Sequence, residues 1–363
     1  MIEKTIRDSN FEFLRIVLII MIICLHYIRH GGALKYLNSS NFNFYITYAF
    51  ESFSIIAVDC FILITGFFQI NKKYQFKKIV DLWTQVFFYS ILISSIFWII
   101  KLEPITIGNI TRTLLPVITI RWWFITAYIT LYCLSPFLNA ALNSMDQNNH
   151  KKLLFALTFF FVILPTFCSS IVFFQDIYFL KNFILLYSIG AYIKKYDIVY
   201  KINFIYIYIL CCSFTFLISV FIHTINKNNL SSFNYNSIMV ELSAICLFMF
   251  FKNIKIDSPK INKVAASVFG IYLISDDPFV RKILYSKILH CADYYYSPFF
   301  LLHMIISLIG IFIFCLITET FRQQLFRILH PIYNSLIMAI SHRLRIYNGL
   351  DLSDAEYNLK NKY

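Results

Sequence analysis

Residues 10–32 read NFEFLRIVLIIMIICLHYIRHGG, and the apolar centre of this stretch is long enough to cross a membrane. Glu12 and Arg15 stand at its beginning and His26 stands near its end. An ionisable side chain inside a bilayer costs about 2.5–3.5 kcal/mol on insertion scales, so such residues face protein or a water-filled cavity rather than lipid. The stretch therefore predicts a membrane helix with one polar side that has a functional role.

The whole chain has the composition of a membrane protein. Its 363 residues are 59% hydrophobic and only 14% charged, and the mean hydropathy is +0.67, whereas soluble domains are about one quarter charged. We predict an all-α, polytopic membrane protein with about ten transmembrane helices, which form one domain over residues 1–318. The predicted spans lie near residues 11–29, 47–70, 79–100, 122–140, 153–174, 179–194, 203–223, 236–251, 264–285 and 297–317.

The distribution of basic residues predicts the orientation of these spans. If the N-terminus is cytoplasmic, the inner segments carry 22 of the 32 lysines and arginines, and the positive-inside rule then places both termini in the cytoplasm. This bias also explains the net charge of +13 without nucleic-acid binding, since no basic soluble domain is present. For the remaining cytoplasmic tail, residues 319–363, an amphipathic helix on the inner leaflet and a partly ordered segment are both compatible with the sequence.

The ionisable residues of the first span fall on one side of a helix. Arg15 and His26 are 11 positions apart, which on a helix gives an angular difference of about 20° and an axial separation of about 16 Å. Glu12 and His30 lie close to the same line. An alternative interpretation stays open, in which Glu12 and Arg15 form an interfacial ion pair and His26 is a packing residue.

The second predicted span contains Asp59, which is expected at a depth similar to that of His26. A carboxylate that orients a histidine is a common arrangement for a general base. The alternative is that Asp59 binds a neighbouring backbone or hydroxyl group.

Charged and aromatic residues at the ends of other spans are further candidates. A lysine cluster after the second span is a candidate site for the phosphates of a nucleotide-like donor, although positive-inside topology and anionic lipid explain it as well. On the outer side, the candidates for substrate contacts also have ordinary explanations, namely an interfacial aromatic belt and a local ion pair beside Pro278. The lysines are Lys72, Lys73, Lys77 and Lys78, and the outer residues are Arg121, Trp123, Asp276 and Arg281.

Several motifs are absent from the sequence. It contains no P-loop, no H-E-x-x-H, no G-x-G-x-x-G and no G-x-S-x-G, which argues against an ATP-driven pump, a metalloprotease of the H-E-x-x-H type and a serine hydrolase of the elbow type. The nine cysteines are odd in number, lie mostly in apolar runs and form no C-x-x-C. We therefore expect neither a disulfide framework nor a metal site.

Four segments, taken in order, resemble the acyltransferase 3 family of integral membrane acyltransferases. NFEFLRIVLIIMIICLHY contains that family's E-x-L-R pattern and its Arg-x10-His spacing, at Glu12, Arg15 and His26. AVDCFILITGFF, WWFITAYITLYCLSPFL and FGIYLISDDPFVRKIL resemble three later segments of the family. The likeness covers about residues 8–317. It departs from the family where Asp276 follows Ser275 at a position that is histidine in many members, and where lysines replace arginines after the second span.

The resemblance implies a function. It implies transfer of an acyl group, usually acetyl from acetyl-CoA, to a hydroxyl of a cell-surface or exported glycan, which includes capsular polysaccharides and lipid-linked sugars, in the bacterial cytoplasmic membrane. His26 would take the proton of the acceptor hydroxyl, and Asp59 would orient His26. Arg15 would contact the donor or hold the first span in place, Glu12 would pair with Arg15, and the lysines would bind coenzyme A. Direct transfer and a covalent acyl-histidine both remain open.

Two other classes of polytopic protein are compatible with the span pattern. A carrier or flippase for a lipid-linked glycan would use the intramembrane charges to line a pathway. A polysaccharide polymerase would be expected to have a larger outer loop than this sequence predicts. Membrane lipids and other proteins of polysaccharide biosynthesis are the expected partners of the enzyme.

Overall fold

The structure, a computed structural model, describes residues 8–35, 37, 39–167, 178–225 and 233–348, with side chains as far as residue 328 except those of residues 35, 167, 178 and 179. The described residues contain helices and no strand, so the predicted all-α class is confirmed. The helices are α1 Ser9–His30, α2 Phe42–Ser54, α3 Ala57–Gln69, α4 Phe76–Ile99, α5 Ile107–Leu114, α6 Trp123–Ser144, α7 Gln147–Thr158, α8 Leu164–Phe167, α9 Tyr178–Lys195, α10 Phe204–Ile225, α11 Ile238–Asn253, α12 Pro259–Ala265, α13 Val268–Ser275, α14 Pro278–Ile283 and α15 Phe300–Asn348.

Six segments among the described residues are long and apolar enough to cross a membrane. They are Ser9–His30, Phe42–Gln69, Phe76–Ile99, Trp123–Ser144, Phe204–Ile225 and Phe300–Ile328. The other predicted spans correspond to shorter or interrupted helices, and part of the fifth falls on residues 168–177, which lie outside the described residues. The count of ten and the cytoplasmic position of both termini stay predictions.

Helix α1 lies at the centre of the helical assembly. It packs against α2, α3, α11, α12 and α13, and Leu14, Leu18, Ile19 and Ile23 have no exposed surface. A helix that is apolar on nearly every side is expected in the interior of a bundle. The central position of α1 gives its ionisable residues protein neighbours instead of lipid, as the sequence predicted.

Helices α3 and α9 approach each other closely through two glycines. A Cβ atom on Gly66 would overlap the backbone of Tyr187, and a Cβ atom on Gly190 would overlap the backbone of Leu63. Small residues at a helix interface let two backbones approach, which is a frequent source of helix association in membranes. This contact fixes α3, and with it Asp59, against α9.

The polypeptide breaks between α13 and α14, as Pro278 predicted. Asp277 has an extended ψ of 132°, and its Oδ1 accepts a hydrogen bond from the backbone N–H of Phe279 at 2.9 Å. The residue before a proline avoids the helical conformation, and an aspartate there can cap the helix that follows. Asp276 and Asp277 therefore lie in a fixed turn rather than within a continuous helix.

The chain divides into two compact units at Leu316 and Ile317. In the second unit the backbone is helical as far as Asn348, and Arg322 forms an ion pair with Glu319 at 2.6 Å. Residues 349–363, the end of the predicted cytoplasmic tail, lie outside the described residues. The side of the membrane and the amphipathic character of this tail stay predictions.

Candidate active site

The predicted line of ionisable residues on α1 is present, and its first part is an ion pair. Arg15 Nη1 donates to Glu12 Oε1 at 2.7 Å. Glu12 is buried, whereas about one third of the Arg15 side chain is exposed. The exposed part of Arg15 lines a cavity, so its guanidinium group is accessible to a ligand.

At the other end of α1, His26 contacts a carboxylate from a distant segment. Its Nε2 atom lies 3.4 Å from Oδ1 of Asp276, which is an ion-pair distance and longer than a hydrogen bond. The other ring nitrogen, Nδ1, is buried and has no hydrogen-bond partner among the described residues. In this arrangement Asp276 faces one nitrogen of the imidazole, and the other nitrogen has no protein partner.

Asp276 is itself held by two neighbours. Its backbone N–H donates to the carbonyl oxygen of Tyr272 at 3.0 Å, and its Oδ1 accepts from Arg281 Nη1 at 3.1 Å. The side chain is 3% exposed. The turn between α13 and α14 and the ion pair with Arg281 thus fix the carboxylate beside His26.

The carboxylate at His26 is Asp276, and Asp59 makes a different contact. Asp59 is fully buried, and its Oδ1 accepts a hydrogen bond from Asn182 Nδ2 on α9 at 3.2 Å. Glu241 of α11 is also buried and close enough to interact electrostatically with Asp59. The depth argument from the sequence placed Asp59 near His26, but depth alone does not determine which side of α3 carries a residue.

Two adjoining cavities run beside α1. They measure about 540 and about 520 Å³, and both are lined by Arg15, Thr65, Lys72 and Tyr128. Volumes of this order suit a ligand of the size of a drug or cofactor. Apolar side chains make up much of the remaining wall of the larger cavity, namely Ile19, Ile22, Phe61, Ile64, Phe68, Leu82, Phe124, Ala265, Ala266, Val268 and Phe269.

The larger cavity extends from charged residues towards the histidine. Arg15 and Lys72 line it together with Ile22 and Tyr272. Ile22 precedes His26 by one helical turn on α1, and the Tyr272 carbonyl oxygen accepts the backbone hydrogen bond of Asp276. The larger cavity therefore connects Arg15 and Lys72 with two residues that adjoin the His26–Asp276 pair, whereas His26 and Asp276 themselves are not part of its lining.

The four predicted lysines differ in their position relative to the cavities. Lys72 lines both cavities and Lys78 lines the smaller one. Lys73 and Lys77 are exposed and line neither cavity. The structure thus separates two lysines that line a cavity from two that are exposed away from both cavities.

Among the outer candidates, Arg121 is engaged within the protein. Its Nε donates to Asp277 Oδ2 at 2.9 Å and its Nη1 donates to Ser94 Oγ at 2.8 Å, and 2% of the side chain is exposed. This geometry joins α4, the start of α6 and the turn after α13. Trp123 is half-buried and packs its ring 5.9 Å from the ring of Tyr235. Neither residue lines the two cavities beside α1.

The structure adds two residues that the sequence did not single out. Tyr128 lines both cavities and Tyr272 lines the larger one. Each is an aromatic residue in an apolar span, so nothing in the sequence pattern separated them from the many other tyrosines. Asp276 and His26 were both recognised as candidates, but the sequence did not predict that they form a pair.

The sequence matches the family model described as an acyltransferase domain across residues 8–320. No curated protein and no solved structure matches the chain. The match covers most of the 363 residues and includes α1, the turn after α13 and both cavities. The chain therefore belongs to the acyltransferase 3 family and is a membrane acyltransferase.

Proposed function

We propose that this protein transfers an acetyl group from acetyl-CoA to a hydroxyl group of a cell-surface or exported glycan. The observation that carries the proposal is the cavity beside α1, which has Arg15 and Lys72 in its lining and reaches Ile22, one helical turn before His26. Coenzyme A carries phosphates at one end and its reactive thiol at the other. A ligand of that shape matches a charged entrance and an apolar wall that leads to the helical turn before the proposed base.

In the proposed reaction His26 acts as the general base. The acceptor hydroxyl oxygen attacks the thioester carbonyl carbon, and the hydroxyl proton passes to Nδ1 of His26, for which the described part of the chain supplies no hydrogen-bond partner. The carbon–sulfur bond then breaks, and the proton passes to the departing thiolate of coenzyme A. Asp276, beside Nε2, orients the ring and stabilises the imidazolium ion that forms.

The cationic residues serve the donor in this proposal. Arg15 offers planar, multiple N–H donors, which suit a phosphate. The Glu12 partner keeps the Arg15 side chain at the cavity rather than in bulk solvent. Lys72 and Lys78 add positive charge to the same region. The apolar wall between these cations and His26 excludes water, so the thioester is protected from hydrolysis.

The proposal includes a location and an orientation. The enzyme lies in the bacterial cytoplasmic membrane with both termini in the cytoplasm, which gives the Arg15 end of α1 access to cytoplasmic acetyl-CoA. The glycan or lipid-linked sugar approaches the His26 end. Direct transfer and a transient acyl-histidine both agree with this arrangement, because His26 is the reacting group in each.

The test uses the purified full chain in lipid nanodiscs with acetyl-CoA and the glycan of the source cell. Release of the free coenzyme A thiol is expected only when both substrates are present, and His26→Ala is expected to lower the rate by a factor of about 100 or more. The matched control is His290→Asn, since His290 is an exposed histidine at a positive φ of 48°, which asparagine tolerates.

Two outcomes would contradict the proposal. The first is a His26→Ala variant that is inserted normally and retains the full rate. The second is movement of a lipid-linked glycan across sealed vesicles without consumption of acetyl-CoA, which is the behaviour of a carrier. Mass spectrometry of surface glycan from a deletion strain supplies an independent check, because loss of the enzyme should remove one acetyl mass per modified sugar.

A further inference from the structure

Besides His26, a second histidine of α1 lies close to Asp276. His30 follows His26 by four residues, so both imidazoles project from the same side of α1. The ring centroids of the two histidines lie 5.3 Å apart. One ligand atom from each of His26, His30 and Asp276 lies within 4.8 Å of the other two.

These distances are close to those of a metal site. Two ligand atoms that each lie about 2.0–2.1 Å from a tetrahedral zinc ion are about 3.3 Å apart. His26 Nε2 and Asp276 Oδ1 are already 3.4 Å apart. Only the His30 ring would have to approach further, and its exposed position allows a change of rotamer.

The chemistry of the three groups is that of a transition-metal site. Two histidines at positions i and i+4 of a helix are the spacing with which helices bind zinc. Two imidazoles and one carboxylate suit Zn²⁺, Co²⁺ or Fe²⁺, and they are poor ligands for Mg²⁺ or Ca²⁺, which prefer oxygen.

The residues around His26, His30 and Asp276 include one that competes with a bound cation. Tyr285 is fully buried, and its ring centroid lies 6.5 Å from that of His26 and 6.3 Å from that of His30, so its ring forms one wall of the cluster. Arg29 is paired with Glu51 at 2.7 Å. Arg281, by contrast, lies 3.1 Å from the Asp276 oxygen and competes with a metal ion for that ligand.

The geometry points to an inhibitory transition-metal site formed by His26, His30 and Asp276. A bound Zn²⁺ ion would occupy an imidazole of the proposed base and draw Asp276 away from its positioning contact. Binding of the metal is independent of the proposed function, whereas its inhibitory effect rests on it. Because Arg281 competes for the carboxylate, the site would respond to free Zn²⁺ reversibly rather than hold a permanent ion.

The test measures binding and activity separately on the full chain in nanodiscs. Binding is followed by Co²⁺ absorption and by calorimetry with Zn²⁺, both without acyl-CoA. We expect one metal ion per chain, and we expect His30→Gln to weaken binding by a factor of about 10–100 or more, since loss of even an outer hydrogen-bond partner of a metal site has an effect of that size. Arg281→Gln should bind the metal more tightly than the unmodified protein.

The activity measurement uses the same variants. Zn²⁺ should slow the release of coenzyme A, and a chelator should restore it. His30→Gln should retain the basal rate and lose most of the inhibition, and His290→Asn should behave like the unmodified protein. Absence of Co²⁺ and Zn²⁺ binding, or binding that neither His30→Gln nor Arg281→Gln changes, would overturn the metal site. Metal binding with the expected dependence on these variants, in a chain that releases no coenzyme A, would overturn the proposed reaction and leave the site intact.

Discussion

His26 Nε2 lies 3.4 Å from Asp276 Oδ1, and this contact joins the first helix of the chain to the turn between α13 and α14. The carboxylate reaches the histidine because Pro278 starts a new helix and leaves Asp276 in the turn. The pair has the form of an imidazole with an orienting carboxylate. The effect of this pair on the reaction can be measured by replacing Asp276 with asparagine, which has the same shape and no charge.

Asp276→Asn should lower kcat for acetyl transfer by a factor of about 100, with a smaller change in the KM for acetyl-CoA. The amide cannot stabilise an imidazolium ion, whereas the proposed donor contacts at Arg15 and Lys72 are unchanged. Initial rates of coenzyme A release at varied acetyl-CoA give both constants. An unchanged kcat in a normally inserted variant would show that Asp276 does not assist His26.

Asp59→Asn should lower kcat much less than Asp276→Asn. The Asp59 carboxylate accepts from Asn182 and interacts with Glu241, and the structure places Asp276 at the histidine instead. Both variants replace an aspartate by asparagine, so the ratio of their kcat values measures how much the position of the carboxylate matters. A larger loss in Asp59→Asn would restore the interpretation in which that residue orients the base.

Lys72→Ala should raise the KM for acetyl-CoA about two- to fivefold with little change in kcat, because a partly exposed ion pair contributes at most about 1 kcal/mol. Lys73→Ala is the matched control, since Lys73 is the adjacent residue, is also exposed and lines neither cavity. The effect of Lys72→Ala should become smaller at high salt. Equal KM values for the two variants would place the donor elsewhere.

Arg121→Met should destabilise the folded protein by about 3–5 kcal/mol, because it leaves the buried Asp277 carboxylate without its cation. The midpoint of thermal unfolding in detergent measures this, with Arg112→Ala as an exposed control. Adding Asp277→Asn to Arg121→Met should recover part of the loss, since asparagine still caps α14. A stable Arg121→Met variant with weakened acceptor binding would favour the substrate role predicted from the sequence.

Gly66→Ala should destabilise the protein by about 1–3 kcal/mol, because the added methyl group meets the backbone of Tyr187 across the α3–α9 interface. Gly310→Ala on α15 is the control. Nothing lies within 4 Å of a Cβ atom there, and alanine favours a helix over glycine by about 1 kcal/mol. Similar thermal midpoints for the two variants would mean that α3 and α9 can separate without loss of stability.

The helical class and the polar side of α1 could be predicted because both are local properties. A run of apolar residues defines a helix, and the angular spacing of Arg15 and His26 depends only on helix geometry. The partner of His26 depends on how distant segments pack, so a depth argument from the sequence chose Asp59 and assigned Asp276 to substrate contacts instead. Arg121 is a similar case. The sequence around an arginine at the end of a span does not show whether the arginine binds a substrate or pairs with a buried aspartate.

The contribution of Lys72 was also beyond a sequence argument. Four lysines within seven positions share charge and loop position, and only the path of the chain around the cavity separates Lys72 and Lys78 from the other two. Tyr272 was hidden for a related reason, since an aromatic residue in an apolar span is expected whether or not it lines a cavity. Local patterns thus identified the kinds of residue in the site, and packing decided which of them are members.

The two neighbouring aspartates after α13 contact different parts of the protein. Asp276 contacts His26 of α1, whereas Asp277 pairs with Arg121 and caps α14. Because the two side chains are identical, only their position in the turn determines which aspartate contacts His26 and which contacts Arg121. Deleting a single residue from α13 would present the wrong aspartate to each partner without altering the local composition. A chimera made from related chains would therefore need the same number of residues from Tyr272 to Pro278. Only then would His26 keep Asp276 and Arg121 keep Asp277.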